Sequence, residues 1–96
     1  MINPKQRSYL KGLAHSMEPL LLIGKGGVTV NTLKQIDDLL NKRELVKIKI
    51  LNNNLDDKNE VVENILSSLN ADFVQLIGSK FTVYRQSKEK KIDLPK

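Results

Sequence analysis

Hydrophobic and polar positions alternate along the chain in two different periods, and the changes of period mark out its elements. Leu10, Leu13, Ala14 and Met17 recur at i, i+3, i+4 and i+7, the spacing of one helix face. Asn3, Pro4 and Gln6 supply an N-cap, a first-turn proline and the return partner of a capping box. Pro19 stops that helix before Glu18, and the unbroken run Leu20–Ile23 predicts a short strand covered on both faces. Thr29 caps a second helix whose inner face is Val30, Leu33, Ile36 and Leu40, with Asp38 and Lys42 as an i,i+4 pair, ending near Asn41-Lys42-Arg43. Val46, Ile48 and Ile50 alternate with Lys47 and Lys49, the period-2 signature of a strand with one wet face.

The second half continues in the same way. Asn52-Asn53-Asn54 is turn material, and Asp57 with Glu60 forms a capping box ahead of Val61, Val62, Ile65, Leu66 and Leu69. Asn70 in a left-handed conformation closes this third helix. Two final strands, Phe73–Ile77 and Phe81–Arg85, flank Gly78-Ser79-Lys80 as a hairpin, and Gln86–Lys96 reads as a loose, basic tail. The order is α-β-α-β-α-β-β. Crossover helices make the first three strands parallel and the hairpin adds an antiparallel member, so the sheet is mixed. With 96 residues and no internal linker, residues 1–85 form a single domain followed by the tail at 86–96.

Composition narrows the function. There is no cysteine, which removes disulfides and thiolate metal sites and suits a reducing cytoplasm. No apolar stretch approaches the roughly 18 residues of a spanning helix, and the N-terminus lacks a secretion signal. No membrane partner is expected. The formal net charge is +5, and it is unevenly spread: residues 1–25 carry +3, residues 26–70 carry −1 and residues 71–96 carry +3. Basic ends folded onto one side would bind a polyanion; basic ends that only aid solubility are the plainer alternative.

The side that matters is indicated by Gly24-Lys25-Gly26-Gly27, which joins the first strand to the second helix. Glycines there free the backbone to approach a ligand, and the helix start offers unpaired N–H groups and partial positive charge. The amides of Gly26 and Gly27 and the charge of Lys25 would then meet phosphate oxygens. Arg7, Lys11 and His15 give the first helix a cationic flank.

Other chemistries fit poorly. The chain has no G-x-x-x-x-G-K-[ST] string, and Thr29 stands where a dinucleotide fingerprint needs glycine or alanine. His15 is the only histidine, so neither a triad nor a zinc cluster has its usual partners, and no cofactor, metal or small-molecule substrate is expected. Asp37-Asp38 and Asp56-Asp57 sit where carboxylates solubilise or cap a helix. Of the four aromatic residues, Phe73 and Phe81 are assigned to the core, which leaves too few for a stacking platform. Tyr84 and Arg85 either reach the glycine loop or form a buried tyrosine beside a solvated arginine. Lys47 and Lys49 serve equally as ligand contacts or as solubilising residues.

Six blocks in order carry a resemblance: Lys11–His15, Leu22–Thr29, Glu44–Lys49, Val74–Gly78, Val83–Arg85 and Lys88–Ile92. Together they resemble the CRM domain, and more narrowly its stand-alone bacterial form, the YhbY-like proteins. The resemblance implies a two-layer α/β RNA-binding fold with a four-stranded mixed sheet, similar to the C-terminal domain of translation initiation factor three. It also implies association with precursors of the large ribosomal subunit in bacteria, while plant members take part in organellar intron splicing. The family's GxxG loop falls on Gly24-Lys25-Gly26-Gly27. The expected function is non-enzymatic: Lys5, Arg7, Lys11, Lys25, Arg85 and Lys88 neutralise phosphates of ribosomal RNA, and Gly24, Gly26 and Gly27 admit its backbone. Four to six such contacts would give a slope of about −3 to −5 in log affinity against log salt. The alternative is a protein-interaction module whose basic face meets an acidic protein.

Overall fold

The computed structural model describes residues 2–96. Its elements follow the expected order: α1 (Pro4–Ala14), β1 (Leu21–Ile23), α2 (Val30–Arg43), β2 (Leu45–Ile50), α3 (Lys58–Leu69), β3 (Asp72–Ile77) and β4 (Lys80–Tyr84). The local stop and start signals account for most of these bounds. Asn3 and Gln6 close a reciprocal capping box on α1, Thr29 and Thr32 close another on α2, and Asp57 accepts from the amides of Asn59 and Glu60 at the start of α3. Asn70 ends α3 with φ 53° and ψ 47°, the left-handed cap.

The four strands lie in the order β1-β2-β4-β3. β1 is parallel to β2, while β4 is antiparallel to both β2 and β3, so the first three strands all point the same way. α3 thus carries the chain past one strand position, and the hairpin fills the gap by folding β4 back between β2 and β3. β2 is the central spine. Its Val46, Ile48 and Ile50 face a core shared with Ile36 and Leu40 of α2, Val61, Val62 and Ile65 of α3, and Phe81 and Val83 of β4. The sheet and the α2/α3 pair form the principal two layers. On the reverse face a smaller core joins Ile2, Leu10 and Ala14 to Leu45, Val74 and Tyr84.

Several expectations of burial change. Leu22 was expected to be covered on its own face of β1, yet it is exposed, because α1 lies over β2 and β3 and leaves edge strand β1 bare on that side. Phe73 is also exposed, being displaced to edge strand β3 beside a register shift between Phe73 and Gln75, while Phe81 is fully buried as assigned. Leu13 of the expected buried stripe is exposed as well, and so is Val30 of the expected inner face of α2, which is the first residue of its helix and stands at the rim of the core.

The tail is not loose. Buried Glu44, which ends α2 with φ 67°, accepts hydrogen bonds from the Ser87 amide (2.6 Å), the Ser87 hydroxyl (2.8 Å) and the Ile92 amide (2.7 Å). Gln6 Nε2 donates to the Pro95 carbonyl at 3.0 Å, and Ile92 and Leu94 pack on the smaller core. The last eleven residues form a strap across the start of β2. Burial pushes the Glu44 carboxyl up, but the donors from Ser87, Ile92 and Lys91 outweigh it and hold the group below the usual carboxylate range.

Candidate nucleic-acid interface

The parallel pairing of β1 with β2 places Ile23 beside Ile50, so the glycine loop stands over the C-terminal ends of both strands. The Leu51 amide donates to the Ile23 carbonyl (2.8 Å) and the Ile50 amide to the Ser79 carbonyl (2.7 Å). The β3–β4 turn therefore stands at the same end of the sheet, with the starts of α2 and α3.

Within the loop, the Gly27 amide donates to the Gly24 carbonyl at 3.0 Å, closing a four-residue turn with Lys25 and Gly26 at its tip. The next connection braces it. Asn54 Nδ2 donates to the same Gly24 carbonyl at 2.8 Å, while Asn54 Oδ1 accepts from the Asp56 amide at 3.0 Å. The three glycines have different reasons to be glycine. Gly27 has φ 69°, and a Cβ there would stand 3.0 Å from Asp56 Oδ2. At Gly24 a Cβ would stand 3.4 Å from Asn53 Oδ1. Gly26 is exposed, keeps φ out of the left-handed region, and leaves a Cβ nothing within 4 Å.

This corrects one detail of the expected chemistry: the Gly27 amide is already bonded inside the turn and cannot serve a phosphate. Lys25 and Gly26 remain the outward pair, with Lys25 exposed.

The structure does not gather the basic ends around the loop. Tyr84 pairs with Leu45 at the start of β2, so Arg85 lies five strand steps, about 17 Å, from the loop end. Its guanidinium is committed there. Nη1 donates to the Leu69 carbonyl (2.8 Å), and Nη2 meets the Asn41 side chain (2.9 Å), the Asp37 carbonyl (3.3 Å) and the Asp37 carboxylate (2.9 Å). Arg85 thus ties together the C-terminal ends of α2 and α3, which is neither the loop contact nor the solvated residue considered above. Tyr84 is buried, and burial together with Glu44 and Asp72 raises its phenol above the ordinary value. Lys88 is exposed beside Asn41, at the same far end. Lys5 is exposed in the first turn of α1, and Arg7 Nε donates to the Phe73 carbonyl at 3.1 Å at the start of β3. Lys11, in the last turn of α1, is exposed and closer to the middle of the reverse face.

The loop end draws its other cations from mid-chain lysines instead. Lys49 is at the end of β2 and Lys80 begins β4, while Lys58 at the start of α3 donates to the Gly78 carbonyl at 3.4 Å. Only Lys49 was marked in the sequence, through its place on a wet strand face; Lys80 is revealed by strand register alone. Lys47 is neither a ligand contact nor merely a solubilising residue: its Nζ donates to the carbonyls of Ala14 (2.9 Å) and Met17 (3.1 Å), capping the end of α1. Among the described residues, no cluster of His, Asp or Glu could hold a metal ion, and no helix is long and apolar enough to cross a membrane.

Comparison with known proteins identifies the family. The family model described as the CRS1 / YhbY (CRM) domain matches residues 2–85. The "Probable RNA-binding protein YqeI" of Bacillus subtilis (strain 168) is 42% identical over 96 residues, covering 99% of this chain and 100% of the relative. An "RNA-binding protein" of Haemophilus influenzae is 37% identical over 95 residues, covering 99% of this chain and 96% of the relative. Among solved structures, that of the hypothetical protein SAV1595 from Staphylococcus aureus superposes with a TM-score of 0.83 at 49% identity, covering 99% of this chain and all of that one.

Proposed function

Since this chain belongs to the CRS1/YhbY (CRM) domain family, we propose that it is a non-enzymatic RNA-binding protein of the cytoplasm. It docks on structured ribosomal RNA in precursors of the large subunit and assists their assembly. The Gly24–Gly27 corner holds the RNA backbone. Lys25 supplies charge, and Gly26 leaves room for a phosphate to come against the main chain. Lys11, toward the middle of the reverse face, extends the contact, while Lys5 and Arg7 lie at the start of α1 beside the start of β3 and take no direct share in the corner. Arg85 and Lys88 have no direct share in the corner; Arg85 holds the ends of the helices that frame it.

The observation that carries this reading is Gly26. Neither backbone conformation nor packing requires a glycine there, which is equally true of Gly12 in α1, but Gly26 alone of the two stands at the tip of an exposed turn beside Lys25 and a helix start. Close approach of an outside group supplies the missing reason. The names of the relatives support RNA as that group.

The test is an electrophoretic shift with ribosomal RNA fragments over a salt series, using wild type, Lys25→Ala and Gly26→Val. Wild-type log affinity should fall with log salt at a slope of about −3 to −5, and Lys25→Ala should make it shallower by about one. Gly26→Val should weaken binding several-fold with the melting temperature unchanged. RNA affinity that neither variant alters would dismiss the corner as the contact.

A further inference from the structure

One row of residues crosses all four strands at the loop end. Leu22 is the register partner of Lys49, Lys49 of Lys80, and Lys80 of Ile77. All four project from the reverse face, since Ile48 and Ile50, on alternate positions of β2, face the α2/α3 core. The row spans three inter-strand spacings, about 14 Å. α1 does not cover it: the helix end is capped by Lys47, one step back along the same face of β2.

The two central residues are both cations. Side chains directly opposite each other in an antiparallel pair have Cβ atoms about 5 Å apart, and like charges there destabilise a sheet. No carboxylate relieves them. The ion pairs among the described residues are Arg85–Asp37 and Lys91–Glu89, both away from this row. The outer two residues are large and apolar, yet Leu22 is 57% and Ile77 is 67% exposed. The row therefore carries two uncompensated costs, charge repulsion at its centre and apolar exposure at its edges.

We propose that this row is a second seat for RNA, in which phosphate bridges the ammonium groups of Lys49 and Lys80 and the flanking bases rest on Leu22 and Ile77. This inference rests on the RNA-binding reading above and adds a surface distinct from the glycine corner. An RNA strand, whose phosphates carry charge and whose neighbouring bases present flat faces that pack on apolar side chains, answers both costs at once. A second copy of this protein does not, because face-to-face rows would bring four ammonium groups together. A strand leaving the corner above β1 meets the row across β2, β4 and β3, so the two seats lie along one path.

Lys80→Glu separates the two roles of the row, because it sets a carboxylate opposite Lys49. The melting temperature should rise or hold, while affinity for a ribosomal RNA fragment near 0.1 M salt falls about tenfold or more and the salt slope becomes shallower by one to two. Lys42→Glu makes the same change of net charge on α2 at the far end and should alter affinity by less than about threefold. Leu22→Ser/Ile77→Ser should weaken binding with the salt slope retained. If Lys80→Glu fails to fold, Lys49→Thr/Lys80→Thr reads the same site with strand-forming residues. The proposal is overturned if Lys80→Glu weakens binding no more than Lys42→Glu, or if it changes the oligomeric state in sedimentation while RNA affinity holds. Lys25→Ala in the same assay keeps the two readings apart. Wild type that retains no RNA fragment removes RNA binding altogether, whereas binding weakened by Lys25→Ala and untouched by Lys80→Glu removes this row alone.

Discussion

The two ends of the sheet use similar residues for opposite purposes. At the strap end, polar and charged groups are turned inward: Arg85 bonds to two helix ends, and Glu44 accepts from Ser87 and Ile92. At the loop end, Lys25 and Lys80 are exposed and form no ion pair. Apolar residues divide in the same way. The four most exposed large hydrophobic residues are Leu55 (94%), Val30 (85%), Ile77 (67%) and Leu22 (57%), and all four belong to the loop end. Isolated exposed aliphatics are ordinary, but their concentration where cations are also unpaired is what the proposed RNA contact would account for. In the proposed reading, stability and recognition thus fall at opposite ends of β2.

The largest test of that division is Glu44→Ala. It strands three part-buried donors, and hydrogen bonds to a charged acceptor are individually strong, so denaturant unfolding should show a loss of about 2–3 kcal/mol. RNA affinity of the folded fraction should hold, and a parallel collapse of both would break the comparison. Acid should act through the same group. Its carboxyl lies below the ordinary value of 4.5 in the folded chain, so its contribution is complete above that pH and disappears as pH falls through the lowered folded value. Protection of the Ser87 and Ile92 amides, referred to the intrinsic exchange rate at each pH, should fall over that interval, and in Glu44→Gln that step should vanish.

A smaller effect separates two adjacent glycines. Gly27→Ala forces a left-handed φ on alanine and sets Cβ 3.0 Å from Asp56, so it should cost about 1–2 kcal/mol, whereas Gly26→Ala should stay within about 0.5 kcal/mol of wild type. Equal costs in thermal melts would show that the whole turn is structural. Smallest of all, Thr82 is fully buried with a hydroxyl that has no hydrogen-bond partner. Thr82→Val keeps the shape and removes the unpaired group, so it should stabilise by up to about 1 kcal/mol with RNA affinity unchanged.

Local signals in the sequence were legible because each works over a few residues. The caps at Asn3, Thr29, Asp57 and Asn70, the alternation along β2 and the glycine turn were all visible in this way. Pairing between distant segments left no such mark. Nothing near Leu22 in the sequence tells that α1 misses it, and nothing near Lys49 tells that Lys80 will stand opposite, since both depend on β4 entering between β2 and β3. The strap was hidden for a related reason. Glu44 resembles any helix-end carboxylate until its partners, more than forty residues later, fold back onto it. An arginine at a strand end is chemically suited to a phosphate contact, and only the neighbouring carbonyls of Leu69 and Asp37 show that Arg85 is occupied.

Asn54 bonds to the carbonyl of Gly24 across a gap of thirty residues. The glycine corner therefore inherits its shape from a connection made much later in the chain. During synthesis, a ribosome that has released only β1 and α2 has not yet produced a competent corner; the bracing segment up to Asp56 must emerge and settle beside it. Length changes in either connection would have to be matched by the other.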